Sequence, residues 1–164
     1  MITEALRAEH KDLLPHVEEL RTAADSIGSA DVEELLRTID EVERFLSRGL
    51  IPHAIAEDRA LYPEVQRLMG AKSATATMSR DHEEVVALTR ELSAAREQMS
   101  SGTIGEAGER QLRRLLYGLY ALVQIHFKKE EEIYLPLLDA GLSREEGEAL
   151  FASMEAAAAE AKRG

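Results

Sequence analysis

Apolar residues recur at steps of three and four along four stretches of the chain, the period of helices that bury one face. The first stretch runs from about Ile2 to Ala24, with Leu6, Leu13, Val17 and Leu20 in phase, and ends in the loop DSIGSAD. The second starts near Asp31, where Asp31 and Glu34 have capping-box spacing, and carries Val32, Leu35, Ile39, Val42, Leu46 and Leu50 toward Gly70. Pro52 and Pro63 fall inside it and are expected to kink or shorten it. A third stretch follows GAKS, with Met78, Val85, Leu88, Leu92 and Met99, and stops at SSG. The fourth opens with a capping pattern at TIGE and continues through Leu112, Leu115, Leu119 and Val123 toward Pro136.

Short loops between long amphipathic helices favour antiparallel neighbours. The expected fold is therefore all-α, an up-down-up-down four-helix bundle over residues 1–140. Residues 141–164 should add a short C-terminal helix, packed on the bundle or extending from it, because Ser143 and Glu146 stand in capping positions before Leu150, Phe151 and Met154. The two halves of the bundle also resemble each other. AEHKDLL around His10 matches RDHEEVV around His82, and 43 residues separate His10 from His53 while 44 separate His82 from His126. A repeated helix pair about a pseudo-two-fold axis accounts for both.

The stripes are interrupted by polar residues that keep the same phase. They read Leu6, His10, Leu13 in the first helix, Leu50, His53, Glu57, Leu61 in the second and Met78, His82, Val85 in the third. The fourth reads Val123, His126, Glu130, Ile133, Leu137. Six ionisable groups thus occupy interior positions. In an up-down bundle the starts of helices one and three lie level with the ends of helices two and four, so all six converge. A buried carboxylate without a partner costs several kcal/mol, which calls for a compensating cation. Four imidazoles and two carboxylates form a mixed nitrogen and oxygen set suited to iron, manganese or zinc. Two ions, one per repeat and both spanned by Glu57 and Glu130, use this set better than one.

Composition narrows the partners. The 164 residues carry a formal charge of -11 and no run of Lys and Arg, which argues against nucleic acid and anionic membranes as partners. There is no cysteine, hence no thiolate ligand, and the N-terminus lacks an apolar signal core, which makes a cytoplasmic location the default expectation.

The pattern H … HxxxE … H … HxxxE, filled by His10, His53, Glu57, His82, His126 and Glu130, resembles the hemerythrin-like, or HHE cation-binding, domains. The resemblance implies a non-haem di-iron centre, oxo- or hydroxo-bridged, in which His10 and His53 ligate one iron and His82 and His126 the other, with Glu57 and Glu130 bridging. Manganese or zinc would be the less expected metals. It further implies binding or sensing of dioxygen, a related diatomic or peroxide, and leaves room for an unidentified protein partner. Oxygen-carrying members place two histidines one turn apart on the third helix, but Met78 and Val86 stand four residues either side of His82. One iron would then be short of a nitrogen ligand, with water or a carboxylate filling in, so sensing or redox use is expected over simple carriage.

Two other readings compete. A di-iron oxidase, ferroxidase or peroxide-detoxifying enzyme could use the same site, although ferritin-like catalytic sites contain more carboxylates and fewer histidines. A metal-free helical interaction module, such as a phosphotransfer bundle, would require an exposed histidine. His16, six residues beyond His10, projects from the margin of its helix and is expected near the surface, and the run Glu130 to Glu132 is expected to be solvated except at Glu130. Tyr62 and Tyr134 are candidates for hydrogen bonds to the carboxylates or for packing at the bundle end.

Overall fold

A computed structural model describes residues 1–99 and 104–163 of the chain. Among them are five helices and no strand. Helix α1 is Glu4–Ser26. Helix α2 covers residues 32–69, starting at the Asp31 cap whose side chain accepts the Glu34 N–H, and ending at Gly70 in the left-handed conformation with φ 65°. Helix α3 is Ala76–Gln98, α4 covers residues 106–141 and α5 is Arg144–Ala161. The cap expected at Thr103 lies outside the described residues; α4 begins after Gly105. No helix among the described residues is long and apolar enough to cross a membrane.

The prolines do not end α2 or α4. Each lies six residues after the start of a π-helical turn: Leu46–Leu50 before Pro52, Glu57–Leu61 before Pro63, and Glu130–Tyr134 before Pro136. The last hydrogen bond before each proline spans five residues: Ile51 N–H to the Leu46 carbonyl, Tyr62 to Glu57 and Leu135 to Glu130. The wider turn adds one residue and so accommodates a ring that would collide with the carbonyl four positions back in an uninterrupted α-helix. The helices run on, but their phase slips.

That slip corrects the expected stripe of α4. Ile133 is 55% exposed and Leu137 only partly buried, while Tyr134, Leu135 and Leu138 turn inward. In α2 Leu61 is buried as its stripe position predicts, and Tyr62 and Val65 are buried after the turn that begins at Glu57.

Helix α4 packs on both α1 and α3, and α2 packs on α1 and α3. Their buried residues form two apolar clusters rather than one. The larger holds Val17, Leu46, Leu50, Val85, Val123 and Phe127, and the smaller Leu6, Ala56, Leu61, Met78, Tyr134 and Leu138. In α1, α2 and α3 the step from one cluster to the other crosses a histidine, and in α4 it crosses Glu130, one turn beyond His126, which places a polar layer across the bundle. Helix α5, opened by the expected Ser143 and Glu146 capping box, lies along residues 51–61 of α2 and buries Leu150, Met154 and Ala157 in the smaller cluster.

The N-terminus of α1 is tied to the end of α4 by Asp139, which accepts hydrogen bonds from the Thr3 N–H and hydroxyl, both 2.9 Å, and faces Arg7 at 3.5 Å. Burial raises the Asp139 carboxyl, but the Thr3 bonds and Arg7 outweigh it and hold it below its ordinary value. A depressed folded-state value means stability that is present above the unfolded value and lost as pH falls. Asp139→Ala should cost about 1–2 kcal/mol at pH 7 in denaturant unfolding, and the difference from wild type should shrink as pH drops below about 4.

Candidate metal centre

His10 on α1, His53 on α2, His82 on α3 and His126 on α4 are all buried, and Glu57 and Glu130 are fully so. The six predicted side chains meet in one layer and divide into two donor groups. One comprises His10, His53, Glu57 and Glu130; the other comprises Glu57, His82 and His126. Glu57 belongs to both. Its Oε1 lies 2.9 Å from His53 Nε2 and 3.7 Å from His10 Nε2, whereas its Oε2 lies 3.2 Å from His82 Nε2 and 4.0 Å from His126 Nε2. Glu130 Oε2 faces His10 Nε2 at 3.4 Å.

Several of these close approaches are charge contacts without hydrogen-bond geometry. His10 Nε2, His53 Nε2, both oxygens of Glu57 and Glu130 Oε2 are buried with no hydrogen-bond partner among the described residues. Carboxylates and imidazoles stranded together in an apolar bundle are costly unless a cation sits between them. The electrostatics point the same way. Burial lowers the His82 imidazole, but Asp58 and Glu57 outweigh it and hold it at about 9. Burial also opposes charge on His10 and His53, yet Glu57, Glu130 and Glu9 bring both above their ordinary value, His53 well above. Burial pushes Glu57 up, and the three imidazoles facing it nevertheless hold it well below the usual carboxylate range. The site demands positive charge, and without a metal only protons can supply it.

Each imidazole turns Nε2 inward and Nδ1 outward to a carboxylate of a different helix. Glu9 of α1 faces His53 at 3.0 Å, and Asp58 of α2 meets His82 at 2.8 Å. Asp81 of α3 meets His126 at 3.0 Å, and Glu131 of α4 meets His10 at 2.8 Å. The contacts run α1 to α2 to α3 to α4 and back to α1, a closed ring. Three of the carboxylates are themselves held: Glu131 by Arg7, Asp81 by Lys129, and Asp58 by the Ser79 hydroxyl at 2.6 Å. A carboxylate on Nδ1 fixes the ring's orientation and leaves Nε2 as the donor, the outer arrangement that metal-binding histidines use.

None of the four ring carboxylates is evident from the apolar periodicity, and Glu131 lies against the expectation of a solvated face. The available signal is adjacency: Glu9 precedes His10, Asp58 follows Glu57, Asp81 precedes His82 and Glu131 follows Glu130. One residue along a helix is 100° around it, enough to move from the interior to the seam with the next helix.

The tyrosines separate. Tyr62 is buried and donates its hydroxyl to Glu130 Oε1 at 2.8 Å, with His126 Nε2 at 3.2 Å and His82 Nε2 at 3.4 Å. Burial, then Glu57 and Glu130, push its pKa up, so it remains a donor. Tyr134 instead donates to the Ala74 carbonyl at 3.1 Å. His16 is half exposed, faces Glu19 at 3.1 Å and stacks on Phe45, away from the six.

Residues 1–138 match the family described as the hemerythrin HHE cation binding domain. The chain belongs to that family. No curated protein and no solved structure matched. In this hemerythrin HHE chain the matched residues hold all ten of the groups above, and α5 lies beyond them. Replacing Asp58, Asp81 or Glu131 with alanine should weaken metal binding by about 10–100-fold without abolishing it. Competitive titration against a chelator of known affinity would measure this.

Proposed function

We propose that this chain binds two iron ions and uses them to bind or sense dioxygen, a related diatomic or peroxide. The observation that carries the reading is the set of buried, unpartnered donors that fall into two groups sharing Glu57. His10, His53, Glu57 and Glu130 would hold one ion, and Glu57, His82 and His126 the other. Nitrogen and carboxylate oxygen together, with no thiolate, suit iron; zinc has no redox change to offer, and manganese favours sites richer in oxygen. Iron supplies the reversible electron transfer that lets a small oxidant or diatomic bind.

The protein's own groups do the rest. The two apolar clusters flank the layer and exclude water from it. The ring of Glu9, Asp58, Asp81 and Glu131 orients the imidazoles, and the Tyr62 hydroxyl, beside the second group, donates to Glu130 Oε1 and holds that carboxylate in place. Of the five histidines only His16 is half exposed, so the buried four are poorly placed for a metal-free phosphotransfer role.

Protein purified from iron-replete cells should contain about two iron per chain by elemental analysis, and His53→Ala or Glu57→Ala should remove most of it. Its visible absorption should change reversibly between dithionite and air. Retention of the full metal content in Glu57→Ala would contradict the assignment. Because a ligand that binds only the folded state stabilises it, metal at about 100 times its Kd should raise Tm by at least about 5 °C. Differential scanning calorimetry with and without a chelator tests this.

A further inference from the structure

The two donor groups are not equivalent. The first has four side chains and the second three. Glu130 Oε1, which faces His126 Nε2 at 3.5 Å, accepts the Tyr62 hydroxyl at 2.8 Å, whereas Glu130 Oε2 faces the first group at His10.

Their surroundings differ in the same direction. Helix α5 packs along residues 51–61 of α2, over the segment that carries His53 and Glu57. The second group instead lies beneath a cleft of about 520 Å³ between α2 and α3, whose wall includes His82 itself. His82 is the most exposed of the four histidines, at 7% against 2–4% for the others. Asp58, Glu83 and Arg90 stand on this cleft, with Asp58 held by Ser79 and His82 and Glu83 paired with Arg80 at 2.5 Å.

A second groove, of about 320 Å³ between α1 and α4, reaches His10. It is a poor route for a cation. Phe127 stacks on His10 with centroids 4.4 Å apart, Arg7 and Glu131 pair across the groove, and Lys11 and Lys128 outweigh the remaining carboxylate, Glu132.

We propose that the position held by Glu57, His82 and His126 is the exchangeable one. A divalent cation enters and leaves it through the α2–α3 cleft, while the ion held by His10, His53, Glu57 and Glu130 stays in place. This rests on the two-ion reading above. The chain then has a half-loaded state, and occupancy of the second position follows the free metal around it.

The test is metal release from the full chain, loaded anaerobically with two equivalents of ferrous iron and mixed with excess chelator. Two phases of equal amplitude are expected, separated by about tenfold or more, the scale on which contacts to a ligand alter metal affinity. His82→Ala should retain one equivalent and show only the slow phase. Val86→Trp, which narrows the α2–α3 cleft without replacing a ligand, should slow the fast phase several-fold and leave the slow one unchanged. Leu14→Trp in the α1–α4 groove should alter neither. If His82→Ala does not fold, the comparison of the two tryptophan variants decides. Release of both ions in one phase, a fast phase that survives His82→Ala, or a fast phase slowed by Leu14→Trp and not by Val86→Trp would overturn the proposal while leaving two-ion binding intact. A protein that takes up no iron would overturn the two-ion reading itself.

Discussion

The constraint on which this structure turns is electrostatic: two carboxylates and four imidazoles are removed from water and set between two apolar clusters. Taking a carboxylate out of water costs several kcal/mol, and even partial neutralisation by protonated imidazoles leaves inward-facing atoms unbonded. A bundle of this length could fill the same layer with leucine, as it does on either side. Retaining the polar layer makes sense only if something positive occupies it.

The helices are adapted to that layer in their backbones as well as their side chains. Glu57 and Glu130 each begin a π-helical turn, and each turn is closed just before a proline. The extra residue lets α2 and α4 carry a glutamate into the interior and then present a new face to the smaller cluster. The pseudo-two-fold repeat is kept in the six inward groups and in these turns, but it is broken around them. Tyr62 donates to Glu130 from one side only, and α5 covers α2 but has no counterpart on α4 among the described residues.

Much of this was legible in the sequence. All six inward groups follow from three-and-four spacing, because a residue in phase with Leu50 and Leu61 must share their side of the helix, whatever its polarity. The helix count follows from the same pattern. Periodicity sees only the face on which a residue lies, however, and Glu9, Asp58, Asp81 and Glu131 lie one step off the stripe, where surface and seam look alike. Which helix each carboxylate reaches depends on the packing of neighbours, and that is tertiary information. The misplacement of Ile133 and Leu137 has a different origin: a constant 3.6-residue period was carried through a π turn whose sole trace in the sequence is Pro136. Tyr62 and Tyr134 stand five and four residues after their glutamates; both reach the smaller cluster, but only Tyr62 turns its hydroxyl to a glutamate of the layer.

The most direct test of the central claim is anomalous diffraction at the iron edge from crystals of iron-loaded protein. The account predicts two peaks inside the bundle, on either side of the Glu57 carboxylate, each within bonding distance of two imidazole Nε2 atoms. An interior free of anomalous signal, with the six side chains paired to one another or turned to water, would contradict it.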